Sequence, residues 1–301
     1  MSTTPVNPLD PAVLANLEGL QLRATHIVEG YVSGLHRSPY QGFSVEFAEH
    51  REYAPGDDLR YVDWKVFGKT DKVYLKQYEE ETNLISYLVL DTSESMRYQS
   101  SLAPLSKLEY AQCATAAIAY LVVRQQDSVG MVTFDDQVRH WVRPGSSGTH
   151  LQQLVHTMQQ CEPVRKTSTG PIFHELAERF TRRGIVFIVS DLFDDAESML
   201  AGLKHFRHRR HDVVVVQVLD PAELEFPFQQ ATLFRGLEGM GDLLVEPAQL
   251  RKAYQQEIQK FIAKVRAGCL AQRADYLLVR TDQPLDVVLT SYFARRQKRA
   301  R

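Results

Sequence analysis

An α/β fold, with a doubly wound and mostly parallel sheet covered by helices on both faces, is predicted by three observations. Nearly continuous apolar runs of strand length occupy residues 84–90, 185–190 and 213–218, as expected for strands buried on both faces. Amphipathic helical stretches separate these runs, which is the alternation that a parallel sheet requires. A chain of 301 residues that is 44% hydrophobic and 24% charged can fill a full core, and its length suits one large domain with a smaller module.

At the N-terminus, Asp10-Pro11 reads as a helix cap followed by proline at the first helical position. Val13, Leu14, Leu17, Leu20, Ala24, Ile27, Val28 and Tyr31 then recur at helical spacing, which predicts one long amphipathic helix. From residue 34 to about 81 glycines, aromatics and short alternating segments (43–47 and 73–76) flank a Pro55-Gly56-Asp57-Asp58 turn, a pattern that predicts a small β-rich module. The expected division is therefore a helix plus β-rich module over 1–82 and an α/β domain over 83–301. Within that domain Tyr110, Cys113, Ala114, Ala117, Ile118, Leu121 and Val122 mark a helix, 128–134 and 138–142 a hairpin, and 151–158 and 172–180 two more helices. Leu250, Tyr254, Ile258, Phe261, Ile262, Val265 and Cys269 mark another helix, and 276–279 a last strand. Residues 223–246, rich in Phe, Pro and Gly, break the rhythm and read as an inserted hairpin.

Thirty-five basic residues stand against 37 acidic ones, so no whole-chain field draws the protein to nucleic acid or an anionic membrane. The N-terminus lacks a charged segment leading into an apolar stretch, and no apolar run approaches bilayer length; the expectation is a cytoplasmic protein without a membrane span. Three widely spaced cysteines fit neither a disulfide scaffold nor a zinc site, and Cys113 and Cys269 fall on apolar helix faces as core.

The chemistry concentrates at Asp91-Thr92-Ser93-Glu94-Ser95, directly after the first buried strand. In an open α/β sheet, ligands sit beyond the carboxyl ends of the strands. Asp91, Ser93 and Ser95 offer one carboxylate and two hydroxyls on a tight loop, hard donors that suit Mg²⁺ or Mn²⁺. Asp191 ends a second buried strand, and the loop Lys166-Thr167-Ser168-Thr169-Gly170 offers further hydroxyls before a helix. The bland alternative is that Asp91 to Ser95 is a helix N-cap loop, since Asp and Ser favour caps in any case.

This order of motifs resembles the metal-ion-dependent adhesion site of the von Willebrand factor A domain, a Rossmann-like sheet. The matching positions are Asp91, Ser93, Ser95, Thr167 and Asp191, with Thr169 as the alternative threonine. A wider resemblance rests on Gly34, His36-Arg37-Ser38, Gly42, Glu46-Phe47, Arg51, Tyr53, Pro55-Gly56-Asp57-Asp58, Arg60 and Asp63-Trp64. Together with the Asp91 motif these residues are similar to the bacterial family known as domain of unknown function 58. That resemblance implies the α/β fold and a MoxR-type AAA+ ATPase, or a client of one, as partner.

Two rival readings compete with a binding protein. A phosphoryl-transfer hydrolase using Asp91 as nucleophile would need a second carboxylate two residues on, where Ser93 stands. No GxSxG, GxGxxG or GxxxxGK[ST] motif occurs, so neither a serine elbow nor a phosphate cradle is expected. A nucleic-acid binder would use the basic end 295–301 and the run 204–211, but basic residues at the end of a helix are explained by its dipole. The expected function is a non-enzymatic, metal-dependent protein-binding adaptor. Its ion keeps one coordination position open for an Asp or Glu of a protein partner, and the module with Arg51, Asp57, Asp58, Arg60 and Trp64 offers a second contact surface.

Overall fold

A computed structural model describes residues 11–15, 18–35, 50–52, 74–76, 85–163, 169–230, 232–234, 241, 243–285 and 289–290. The chain divides into two compact units, Met1–Gly34 with Leu84–Arg301, and Leu35–Asn83. The N-terminal helical segment, grouped above with the β-rich module, therefore belongs to the same unit as the sheet. Its apolar face explains this: Leu14, Ala24, Ile27 and Val28 are buried, and Arg23 lies against Cys113. The segment is also two helices, α1 (Pro11–Ala15) and α2 (Leu20–Leu35), because Gly19 between them adopts φ +85°, a conformation only glycine enters freely. In the second unit β1 (His50–Glu52) and β2 (Tyr74–Lys76) pair antiparallel, while 43–47 and 55–58 lie outside the described residues.

The larger unit continues with β3 (Ile85–Asp91), a 3-10 turn (Glu94–Arg97), α3 (Lys107–Arg124), β4 (Ser128–Phe134), β5 (Val138–Gly145) and α4 (Gly148–Gln159). Then follow α5 (Thr169–Arg179), β6 (Gly184–Ser190), α6 (Ala196–His208), β7 (Asp212–Leu219) and α7 (Pro221–Glu225). The hairpin β8 (Thr232–Phe234) and β9 (Leu243–Val245) precedes α8 (Pro247–Ala271) and β10 (Asp275–Arg280). Six strands form one sheet in the order β10-β7-β6-β3-β4-β5, parallel throughout except for β5, which pairs antiparallel with β4. This is the doubly wound, mostly parallel sheet that the sequence predicts. Every residue of β3 and β6 is buried, which is why these two strands read as unbroken apolar runs.

Helices cover the sheet with apolar stripes. From α5 and the residue after it, and from α6, Phe173, Phe180 and Phe206 pack with Tyr87 of β3, whose ring stacks on Phe180 at 4.0 Å between centroids. Glycines let these elements approach. A Cβ on Gly184 would meet the Ile85 carbonyl oxygen, and one on Gly170 would meet Ser198, so β6 and the α5–α6 pair close only with hydrogen at those positions. Ser106 and Glu109 form a capping box that starts α3, and Asp195 caps α6. The hairpin is tied to α8 by packing among Phe226, Phe228, Phe234 and Tyr254 and by Arg251, which donates to the Phe226 and Phe228 carbonyls. Cys113 and Cys269 are buried and Cys161 is half-buried, all three as free thiols. Among the described residues no helix is long and apolar enough to cross a membrane.

Candidate metal centre

The chain winds outward in both directions from β3 and β6, so the order of connections reverses between them; that is where an open α/β sheet leaves a crevice at its carboxyl edge. Asp91 is the last residue of β3 and Asp191 follows the last residue of β6, and both are fully buried. The Asp91 loop is pinned at its start, because the Thr92 N–H and hydroxyl both donate to the Phe134 carbonyl, at 2.7 and 3.0 Å. One Asp91 oxygen accepts from the Ser93 N–H at 2.8 Å and the other from the Ser190 hydroxyl at 2.5 Å.

Ser93 stands at the N-cap position of the 3-10 turn, yet its side chain makes no capping hydrogen bond. Its hydroxyl lies 3.1 Å from that of Ser95 instead. This bears on the capping alternative, since a serine kept for its cap would direct its oxygen to the backbone. Adjacent ligands of an octahedral ion with bonds of about 2.1 Å stand about 3 Å apart, so the hydroxyl pair has the spacing of two neighbouring Mg²⁺ ligands.

Around Asp191 the structure places a cation that the sequence does not announce. The Lys107 ammonium lies 2.8 Å from Asp191 and 2.6 Å from Glu223, with its side chain 1% exposed, and 4.9 Å from the centre of the Phe193 ring. The second Asp191 oxygen accepts from the Phe193 N–H, and the Asp191 carbonyl accepts from Gln217, which in turn accepts from the Tyr276 hydroxyl. Glu223 and Asp220 form the capping box of α7, and Asp220 also accepts from the Ser100 N–H at 2.9 Å. One network therefore joins the loops after β3, β6 and β7.

Its charges do not balance: it holds the carboxylates of Asp91, Asp191, Asp220 and Glu223, and one ammonium, which pairs with Asp191 and Glu223. Burial, and secondarily the negative charge of Asp191, push Asp91 up to about 7, against the bonds from Ser190 and Ser93 that favour its charged form. Burial raises Glu223 as well, in spite of Lys107. Lys107 is raised as well, which for an amine favours the charged form: burial disfavours its charge, but Asp191 and Glu223 outweigh burial and hold it protonated. A divalent ion beside Asp91 and the two serines would supply the missing positive charge. The donors and the local charge thus fit Mg²⁺ or Mn²⁺. Among the described residues no three His, Cys, Asp or Glu side chains are grouped to hold a metal ion, so a site here would depend on the serine hydroxyls.

The family described as "Protein of unknown function DUF58" is matched over residues 49–263. The chain belongs to that family. An uncharacterized protein of Mycobacterium tuberculosis and another of Mycobacterium bovis are each 27% identical to it over 296 residues, which is 97% of this chain and 92% of theirs. Similar solved structures include the conserved hypothetical protein BatB of Bacteroides thetaiotaomicron, 16% identical, with a TM-score of 0.48 over 71% of this chain and 99% of that one. An aerotolerance-related membrane protein of Bacteroides fragilis is 19% identical, with a TM-score of 0.45 over 70% and 97% of the two chains. The VWA domain of SpRpn10 is 13% identical, with a TM-score of 0.41 over 69% and 94%.

Of the five expected ligands, Asp91, Ser93, Ser95 and Asp191 share the carboxyl edge of β3 and β6, and Thr167 lies outside the described residues. The alternative, Thr169, opens α5, and its N–H and hydroxyl both donate to one oxygen of Asp194, at 2.7 and 2.8 Å. That links the threonine loop to the turn after β6. The turn is tight: Leu192, buried and at φ +60°, is held there by the Ser190 hydroxyl, which accepts from its N–H. Sequence reasoning missed Ser190, Lys107, Asp194 and Glu223. Ser190 and Asp194 flank an Asp already singled out, and their adjacency was the available signal. Nothing in the local pattern marks Lys107 as buried.

Proposed function

We propose that this protein is a non-enzymatic adaptor that binds a protein partner through a divalent cation, Mg²⁺ or Mn²⁺, held by Asp91, Ser93 and Ser95. The observation that carries this reading is the pair of serine hydroxyls, free of capping duty and 3.1 Å apart, beside a buried carboxylate whose charge is unbalanced. When bound, the ion supplies a positive charge that a partner's Asp or Glu completes. Asp91 orients toward Ser93 and Ser190 and sets the electrostatic demand for the ion; Lys107 neutralises Asp191 and keeps it aligned. A hydrolase with Asp91 as nucleophile is disfavoured, because Ser93 stands where its acid/base carboxylate would be needed.

The partner that the family resemblance suggests is a MoxR-type AAA+ ATPase or one of its clients, in the assembly or maturation of other proteins. Such an ATP-consuming partner would place the work in the cytoplasm. The test is capture of partner by the full chain with and without EDTA, the bound protein being identified by mass spectrometry. Unpairing a buried charged contact costs about 2 to 5 kcal/mol, so EDTA or Asp91→Ala should weaken association more than tenfold while the variant stays folded. Equal retention in EDTA would refute the ion bridge.

A further inference from the structure

The Arg207 and Arg210 pair, explained in the sequence by the dipole of a helix end, converges in the folded chain with arginines from two other segments. A cavity of about 230 Å³ opens at the amino ends of β6, β7 and β10, the opposite edge of the sheet from Asp91. Arg183 reaches it from the turn before β6, Arg207 and Arg210 from the end of α6, and Arg273 from the turn between α8 and β10; His211 and Asp212 also line it. Arg207 donates to the Ala271 carbonyl at 3.3 Å. Among the described residues Arg183, Arg210 and Arg273 engage no carboxylate and make no side-chain hydrogen bond.

Four like charges around one cavity repel one another, and an anion seated among them recovers that energy. The backbone adds a second observation. Arg210 and Arg273 adopt φ 62° and 55°, in turns at helix ends where glycine fits without strain. Gln126 makes a similar turn away from the cavity, so the arginine rather than the turn distinguishes these positions. Guanidinium groups match phosphate oxygens with paired donors. Four of them against the Asp212 carboxylate leave about three positive charges, near the charge of two linked phosphate groups. Among the described residues no Phe, Tyr or Trp lines the cavity to stack bases, which favours a small ligand over a nucleic-acid strand.

We propose that this cavity, independent of the metal face, binds a small anion carrying two linked phosphates, through Arg183, Arg207, Arg210 and Arg273. Calorimetry on the full chain with inorganic pyrophosphate in metal-free buffer tests it, with citrate as a carboxylate of similar charge and a single-stranded oligonucleotide as the polymer. Saturable one-to-one binding of pyrophosphate, at least tenfold tighter than citrate, is expected. In Arg210→Gly/Arg273→Gly that affinity should fall more than tenfold while the melting temperature stays at or above the parent's, because glycine suits both turns. Arg183→Ala, at an exposed side chain outside those turns, should weaken binding in the same direction. Asp91→Ala should leave it unchanged. The inference is overturned by absence of saturable binding, by equal affinity for citrate, by full affinity in the arginine variants, or by tighter oligonucleotide binding lost in those same variants.

Discussion

At the residue scale, the Asp91 carboxyl is held near 7 in the folded chain against an ordinary value of 3.8, so the folded state binds its proton more tightly than the unfolded state. Its contribution to stability in the ion-free protein is therefore greatest below about pH 4 and is lost as pH rises toward about 7. We expect thermal melts of ion-free protein to decline over that interval through this group, and Mg²⁺ to offset the decline. Asp91→Asn should remove this component, melt higher than the parent above about pH 7 without ion, and show no Mg²⁺ binding by calorimetry. A variant that keeps parental Mg²⁺ affinity would remove Asp91 from the site. Lys107 carries the opposite lesson. Lys107→Met leaves Asp191 and Glu223 buried without a counter-charge, and urea unfolding should show a loss of about 3 to 5 kcal/mol. Adding Asp191→Asn and Glu223→Gln should recover most of it, because the interior then holds neutral groups.

At the scale of elements, the threonine loop depends on how closely α5 and α6 approach. Gly170 and Gly202 lie at that contact: a Cβ on Gly202 would stand 2.7 Å from the Phe173 Cβ, and one on Gly170 would stand 2.8 Å from the Ser198 carbonyl oxygen and closer still to its hydroxyl. Gly170→Ala should thus force the helices apart at a cost of about 1 to 3 kcal/mol in urea unfolding, and shift Thr169 from Asp194, with weaker Mg²⁺ binding as the second readout. Gly148→Ala provides the contrast, since open space surrounds that helical position and stability should hold or rise by up to about 1 kcal/mol. Strands and helices of the α/β unit were legible because their apolar residues repeat at strand or helix spacing. The break at Gly19 was not, since a single left-handed residue leaves the apolar periodicity on either side intact.

For the whole molecule, the sheet order puts two loops 100 residues apart in sequence, those of Asp91 and Asp191, at one edge, and the arginine cavity at the other. With the two proposed sites at opposite edges, an ion-bridged partner and a small anion would bind without competition between them. Calorimetry of Mg²⁺ with and without saturating pyrophosphate, corrected for the complex those two form in solution, should give the same affinity at the metal face; a large change would mean that the two edges are coupled.

By itself the sequence determined the alternation of buried strands and amphipathic helices, hence the doubly wound class. It also placed Asp91, Ser93, Ser95 and Asp191 at the carboxyl ends of two buried strands, because strand ends and the residues that follow them are local features. The tertiary structure alone decided that Lys107 closes on Asp191 and Glu223, that α2 belongs to the same unit as the sheet, and that Arg183, Arg210 and Arg273 meet. The physical reason is common to all three. Charge balance and burial depend on which distant segments become neighbours, and spacing along the chain encodes periodicity within an element but not the partners that folding brings to it.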